Sequence, residues 1–170
     1  GTDLNNLALR RRMPAGASFA DIEAAWNRLL EQHDSLRLRL VMEAAQDDDF
    51  PVSQRIADFA PVTVEGYRFP DRESSRQLVR KLIEHPFDLK GGEAMWRLVA
   101  LQVDEEAPEA LLVIHLLISD GWSLTMVGDQ LARLLEGGKI PPVGSYRSFV
   151  EAERDYLRSE QGDADQRFWR

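Results

Sequence analysis

One stretch of the chain, Ile114 to Ser123 (IHLLISDGWS), gathers side chains able to do chemistry. It holds an imidazole, His115, inside an apolar run, then a carboxylate, Asp120, a glycine, Gly121, and two hydroxyls, Ser119 and Ser123. An imidazole that titrates close to neutral pH can act as a general base or hold a nucleophile in place. A metal centre would need a third ligand beside His115 and Asp120, and none is evident, so no metal is expected. Ser119 and Ser123 lack any nucleophile-elbow context. A histidine inside an apolar strand is most often buried and satisfied by nearby backbone, which is the structural reading of His115. His33 and His85 stand singly near helix ends, where the helix dipole accounts for them. Trp122 reads as packing or as the lining of a binding channel.

These residues must be positioned by the elements around them. Ala110 to Leu117 reads as a long strand, apolar on both faces and therefore central in a sheet. The acidic connection Asp104 to Glu109 joins it to Met95–Val103 as an antiparallel hairpin. Ile118 to Gly121 turns the chain into a helix carrying Leu124, Val127, Leu131, Leu134 and Leu135, ended by Gly137-Gly138. Upstream, Leu4 to Met13 reads as a strand followed by a turn at Pro14–Gly16. Ser18 caps a helix with Asp21 at its third position, and Phe19, Ile22, Trp26, Leu29 and Leu30 keep helical spacing to Gln32 or His33. Leu36, Leu38, Leu40 and Met42 alternate with Arg37, Arg39 and Val41, a period-2 strand. Ala44 to Asp49 is an acidic loop. Short strands fall within Phe50–Ile56 and Pro61–Tyr67. Asp71 caps a helix with Leu78, Val79, Leu82 and Ile83 in its stripe, stopped by Pro86. Gly91-Gly92 reads as a loop hinge, and Ser145 to Ser159 as a further helix. The order predicts an α/β protein, an α+β two-layer sandwich with helices on one face of a mixed, largely antiparallel sheet. There is no dinucleotide fingerprint and no Walker sequence.

The bulk composition sets limits. The 170 residues are 44 % apolar, enough for one domain with a real core. A formal net charge of -8 argues against nucleic-acid or anionic-membrane binding, which needs a basic footprint. With no cysteine, disulfides and thiolate metal sites are excluded. No apolar run approaches the roughly 18 residues needed to cross a bilayer, and the start lacks signal-peptide order, so a cytoplasmic location is expected. The first and last residues read as structured, so both ends look cut from something longer.

Several segments resemble, in order, the motifs of the condensation domains of nonribosomal peptide synthetases. Gln32-His33-Asp34-Ser35-Leu36-Arg37 is similar to the family's RHExLR, and His85-Pro86-Phe87-Asp88-Leu89 with Arg97 to its PFDL…R stretch. Ile114 to Ser123 is similar to MHHxISDGWS. Ser145-Tyr146-Arg147-Ser148-Phe149 is near YxDF, with Ser148 in place of the aspartate, and Phe168-Trp169 resembles an aromatic pair closing the family's first lobe. The resemblance implies a chloramphenicol acetyltransferase-like fold, with residues 1–170 forming the N-terminal lobe and the C-terminal lobe lying outside this chain. It implies peptide-bond formation in a tunnel between the lobes, where an amine attacks a thioester on the phosphopantetheine of a carrier protein. The expected partners are thus carrier domains and the second lobe, and no cofactor is expected to be bound by the domain itself.

Carried over by position, His115 is the first histidine of HHxxxDG, and Asp120 and Gly121 are its last two residues. The second histidine, to which the base role is usually given, falls at Leu116, which has nothing to titrate. Alternation along a strand points His115 to the opposite face from residue 116. The catalytic motif positions are therefore His115, Asp120 and Gly121, the adjoining substrate-binding positions Trp122 and Ser123. Two readings stand for Asp120: a helix cap, or a buried ion pair with Arg37 of the kind the family implies. In this resemblance Gly121 lets the backbone turn tightly beside substrate. An enzyme without its base histidine and an inactive domain that binds carrier or partner proteins both stand at this point.

Overall fold

The computed structural model describes residues 5–42 and 52–170. Its main sheet has four strands in the order β1-β6-β5-β4: β1 (Asn6–Arg12), β4 (Glu65–Phe69), β5 (Trp96–Val103) and β6 (Glu109–His115). β6 lies between β1 and β5, antiparallel to both, and β4 joins the far edge parallel to β5. All seven residues of β6 are buried, as a central strand covered on both faces requires. The sheet is mixed and largely antiparallel, in an α/β protein, as expected. A separate ribbon pairs β2 (Leu38–Met42) with β3 (Val52–Ile56).

The expectation that helices lie on one face is corrected. α1 (Phe19–Gln32) and α3 (Gly121–Leu135) cover one face, with Ile22, Trp26, Leu29, Val127 and Leu131 packed on Leu98, Ala100, Leu112 and Ile114. α2 (Arg72–Glu84) covers the other, with Leu78, Val79, Leu82 and Ile83 on Val99, Leu101, Leu111 and Val113. The reason is the double-sided apolar character of β5 and β6: at about 25 cal/mol per Å² of apolar surface, neither face of these strands can be left wet. Trp26 is fully buried and meets Trp96 edge-on, with ring centroids 4.9 Å apart.

Local signals set the helix starts. Ser18 and Asp21 form a reciprocal capping box on α1, and Asp71 accepts from Ser74 N–H at the start of α2. The predicted strand over Leu36–Met42 starts late, because Asp34–Arg37 closes a 3-10 turn and leaves Leu38 as the first extended residue. The second short strand occupies Glu65–Phe69 rather than 61–67. The acidic loop predicted at 44–49 lies outside the described residues. The C-terminal part is a pair of helices, α4 (Tyr146–Leu157) and α5 (Glu160–Trp169). α4 buries no residue and α5 only Gly162, so Phe149, Phe168 and Trp169 stand exposed. Among the described residues no helix is long and apolar enough to cross a membrane.

Candidate functional site

The predicted strand over 110–117 ends at His115, and Leu116 to Ile118 form a turn. The turn is held from both sides of the sheet: His115 N–H donates to Met95 C=O (2.9 Å) and Leu116 N–H to Asn5 C=O (2.8 Å). Ile118 N–H closes it onto His115 C=O at 3.1 Å. The His115 ring is only 4 % exposed, and its Nδ1 accepts the Leu117 N–H at 3.1 Å. That bond puts the ring proton on Nε2. The ring also meets the edge of Phe87, 6.0 Å between centroids. Arg97 lies over the Phe87 ring, 3.8 Å from its centroid, while donating to His85 C=O (2.7 Å) and Pro86 C=O (2.5 Å). The His85–Leu89 segment, Arg97 and His115 thus come together beneath the turn, on the α2 face.

Residue 116 points the other way. Leu116 is 47 % exposed and lines a shallow cavity of about 280 Å³ with Leu38, Leu117, Ser119, Ser123 and Tyr146. His115 does not line it. Asp120 borders the same cavity and caps α3, accepting Ser123 N–H at Oδ1 (2.7 Å). That backbone bond, then the Ser123 hydroxyl, holds the Asp120 carboxyl below the usual carboxylate range. Of the two readings for Asp120 the cap is observed, and the Arg37–Asp120 ion pair is not formed. Arg37 instead donates to the carbonyls of Ala57 (3.0 Å), Glu31 (2.9 Å) and Leu30, pinning the C-terminal end of α1 to the end of β3. Free carbonyls at a helix end are natural partners for a guanidinium, and they lie nearer to Arg37 in sequence than Asp120 does.

Gly121 occupies the first turn of α3 with an ordinary backbone angle, and a Cβ there would meet no atom within 4 Å. Nothing among the described residues requires glycine at that position. Trp122 is 82 % exposed, so the packing reading of it does not hold. It borders a second groove on the outer face of α3, with Met126 and Arg133. His33 is buried at the end of α1, where Nε2 meets Gln130 Oε1 at 2.6 Å. His85 ends α2 as its C-cap. Among the described residues no three His, Cys, Asp or Glu side chains group as metal ligands.

Sequence reasoning did not foresee what holds Tyr146 in the cavity wall. Asp34 accepts Tyr146 N–H at both oxygens (2.8 and 3.0 Å) and the Ser145 hydroxyl (2.7 Å), so it anchors the start of α4. Burial raises the Asp34 carboxyl, but these bonds and those of Ser35 and Arg147 N–H together outweigh it and leave it lowered. The anchor sets Tyr146 beside Leu116. The helix-start pattern at Ser145 was visible in sequence; a partner 111 residues away was not.

A family model described as "Condensation domain" matches residues 11–170. Bacitracin synthase 2 of Bacillus licheniformis is 27 % identical over 165 residues, covering 96 % of this chain and 6 % of that protein. Gramicidin S synthase 2 of Brevibacillus brevis is 25 % identical over 159 residues, covering 87 % of this chain and 3 % of that protein. The chain thus spans a small part of the curated relatives it matches. Among solved structures, the starter condensation domain of rhizomide synthetase superposes with a TM-score of 0.84 at 20 % identity, over 99 % of this chain and 42 % of that one. The condensation domain of the Monacolin K polyketide synthase gives 0.83 at 19 %, over 97 % and 37 %.

Proposed function

The chain belongs to the condensation-domain family, and from that premise we propose that it is the N-terminal lobe of a domain that joins a carrier-bound thioester to an amine as an amide. The observation that carries this reading is the intact Ser119-Asp120-Gly121-Trp122-Ser123 segment, held at the edge of an open cavity by the Asp120 cap and the turn at 116–118. The resemblance supports a fold of two such lobes, with the second outside residues 1–170. Carrier protein domains and that second lobe are then its partners. The acyl group arrives on a carrier's phosphopantetheine, and this lobe itself needs no bound cofactor.

In this scheme the lobe contributes position. The amine lone pair forms the C–N bond as the C–S bond breaks, and the thiolate leaves on the carrier arm and takes up a proton. The proton lost by the amine goes to water, because Leu116 offers no acceptor and His115 is turned into the sheet with Nδ1 occupied. Loss of a general base costs about 10²- to 10⁴-fold in rate, which a reactive thioester and an amine nucleophile tolerate. A second reading, an inactive lobe that retains carrier or partner binding, is favoured by one observation: no imidazole among the described residues lines the cavity around Leu116.

A single-turnover mass-spectrometric assay separates the two. The complete two-lobe domain is mixed with loaded donor and acceptor carriers, in its natural form and as Leu116→His. Product from the natural form supports catalysis by positioning. Silence from the natural form with product from Leu116→His supports the binding role. Turnover by the isolated 170 residues would sink the two-lobe reading.

A further inference from the structure

On a chain of net charge -8, arginines are expected to find carboxylates, and Arg10, Arg11, Arg12, Arg72 and Arg76 do. Most of the other arginines, Arg28, Arg80 and Arg133 among them, make no such pair among the described residues, and four of these gather on the β2–β3 ribbon and α4. The ribbon's register sets Arg39 directly opposite Arg55. Direct cross-strand partners share a face with Cβ atoms about 5 Å apart, where like charges destabilise the pair. Burial, and after it the charge of Arg55, holds the Arg39 guanidinium below its ordinary value. Arg55 lines a groove of about 680 Å³ whose other wall is α4, and there Arg147 and Arg154, seven residues apart on one helix face, line it too. Among the described residues none of these four guanidiniums has a carboxylate within ion-pair distance. Glu151 and Glu153 also border the groove, so the cations outnumber the anions there against the charge of the chain as a whole.

We propose that the groove between β3 and α4 is a binding site for a phosphate group, held by Arg55 with Arg147 and Arg154 across from it and Arg39 beside it on the ribbon. The planar fork of a guanidinium matches two phosphate oxygens, and a dianion among like charges cancels the repulsion that the register builds in. The polar Ser53 and Gln54 on the same wall offer further hydrogen bonds to the remaining oxygens. The site does not depend on the acyl-transfer reading; it rests on the pairing register and on the absence of acidic partners among the described residues.

The test is calorimetric titration of the chain with inorganic phosphate, and separately with coenzyme A as an esterified phosphate, against chloride at matched ionic strength. Saturable phosphate binding is expected, weakened roughly tenfold or more by Arg55→Gln and by Arg147→Gln, and unchanged by Arg80→Gln on the exposed side of α2. Arg39→Gln is expected to raise Tm in chloride while removing the rise that phosphate produces. Tighter binding of coenzyme A with the same arginine dependence identifies an esterified source, and equal affinities a free anion. No binding above chloride overturns the proposal. So does loss with Arg80→Gln to the same degree, which marks general charge attraction, and so does binding indifferent to Arg55 and Arg147.

Discussion

Replacing His115 by alanine tests whether this residue holds the turn or serves the reaction. The substitution removes the acceptor of the Leu117 N–H, the edge contact with Phe87 and the bulk of a side chain that is 4 % exposed. A net hydrogen bond is worth about 1 kcal/mol and an aromatic edge contact about 0.5–1.5. With the cavity left behind, the loss comes to about 2–4 kcal/mol. For a domain of this size that is a fall in Tm of roughly 5–12 °C. His115→Asn retains an oxygen able to accept the same N–H and should recover about 1 kcal/mol of the loss. Urea denaturation of the three proteins, followed by tryptophan fluorescence, gives the free energies. An alanine variant within about 0.5 kcal/mol of the natural protein, the range of an ordinary surface change, would refute the assignment of His115 to the turn. An asparagine variant as damaged as alanine would refute the hydrogen bond as its cause.

Two glycines of α3 should respond oppositely to alanine. Gly128 packs on Leu9 of β1 so closely that a Cβ would overlap its Cδ2, so Gly128→Ala should lower the urea midpoint, whereas Gly121→Ala, with open space around it, should leave it equal or slightly higher. Trp26→Ala, emptying the centre of the α1 face, should cost about 3–5 kcal/mol in the same assay. The Asp34 carboxyl is lowered in the folded protein, so its contribution is present above the unfolded value near 3.9 and is lost as pH falls through the lower folded value. Asp34→Asn should therefore flatten the acid side of the stability curve below about pH 4, and an unchanged acid limb would show that the Ser145–Tyr146 anchor does not depend on the charge.

The helix starts at Ser18, Asp71 and Ser145 were legible because capping is a local event, a side chain meeting backbone within a few residues. The central place of β6 was legible from its unbroken apolar run. The opposite orientation of His115 and Leu116 followed from strand alternation, and it survives although the strand stops at His115, because Leu116 is still tied to Asn5 across the sheet. What the sequence left open depended on distant partners. Asp120 had two physically sound readings, and only the approach of the α1 end to β3, which occupies Arg37 with three carbonyls, decides for the cap. Helix α2 takes the second face of the sheet because two strands apolar on both sides need cover on both, a demand set by packing and not by any stripe within α2. The anchor of Tyr146 by Asp34 and the facing of Arg39 and Arg55 likewise exist only once the chain has closed. Local propensity acts over a few residues, whereas register and packing join residues tens of positions apart, and it is there that the cavity wall and the arginine groove are made.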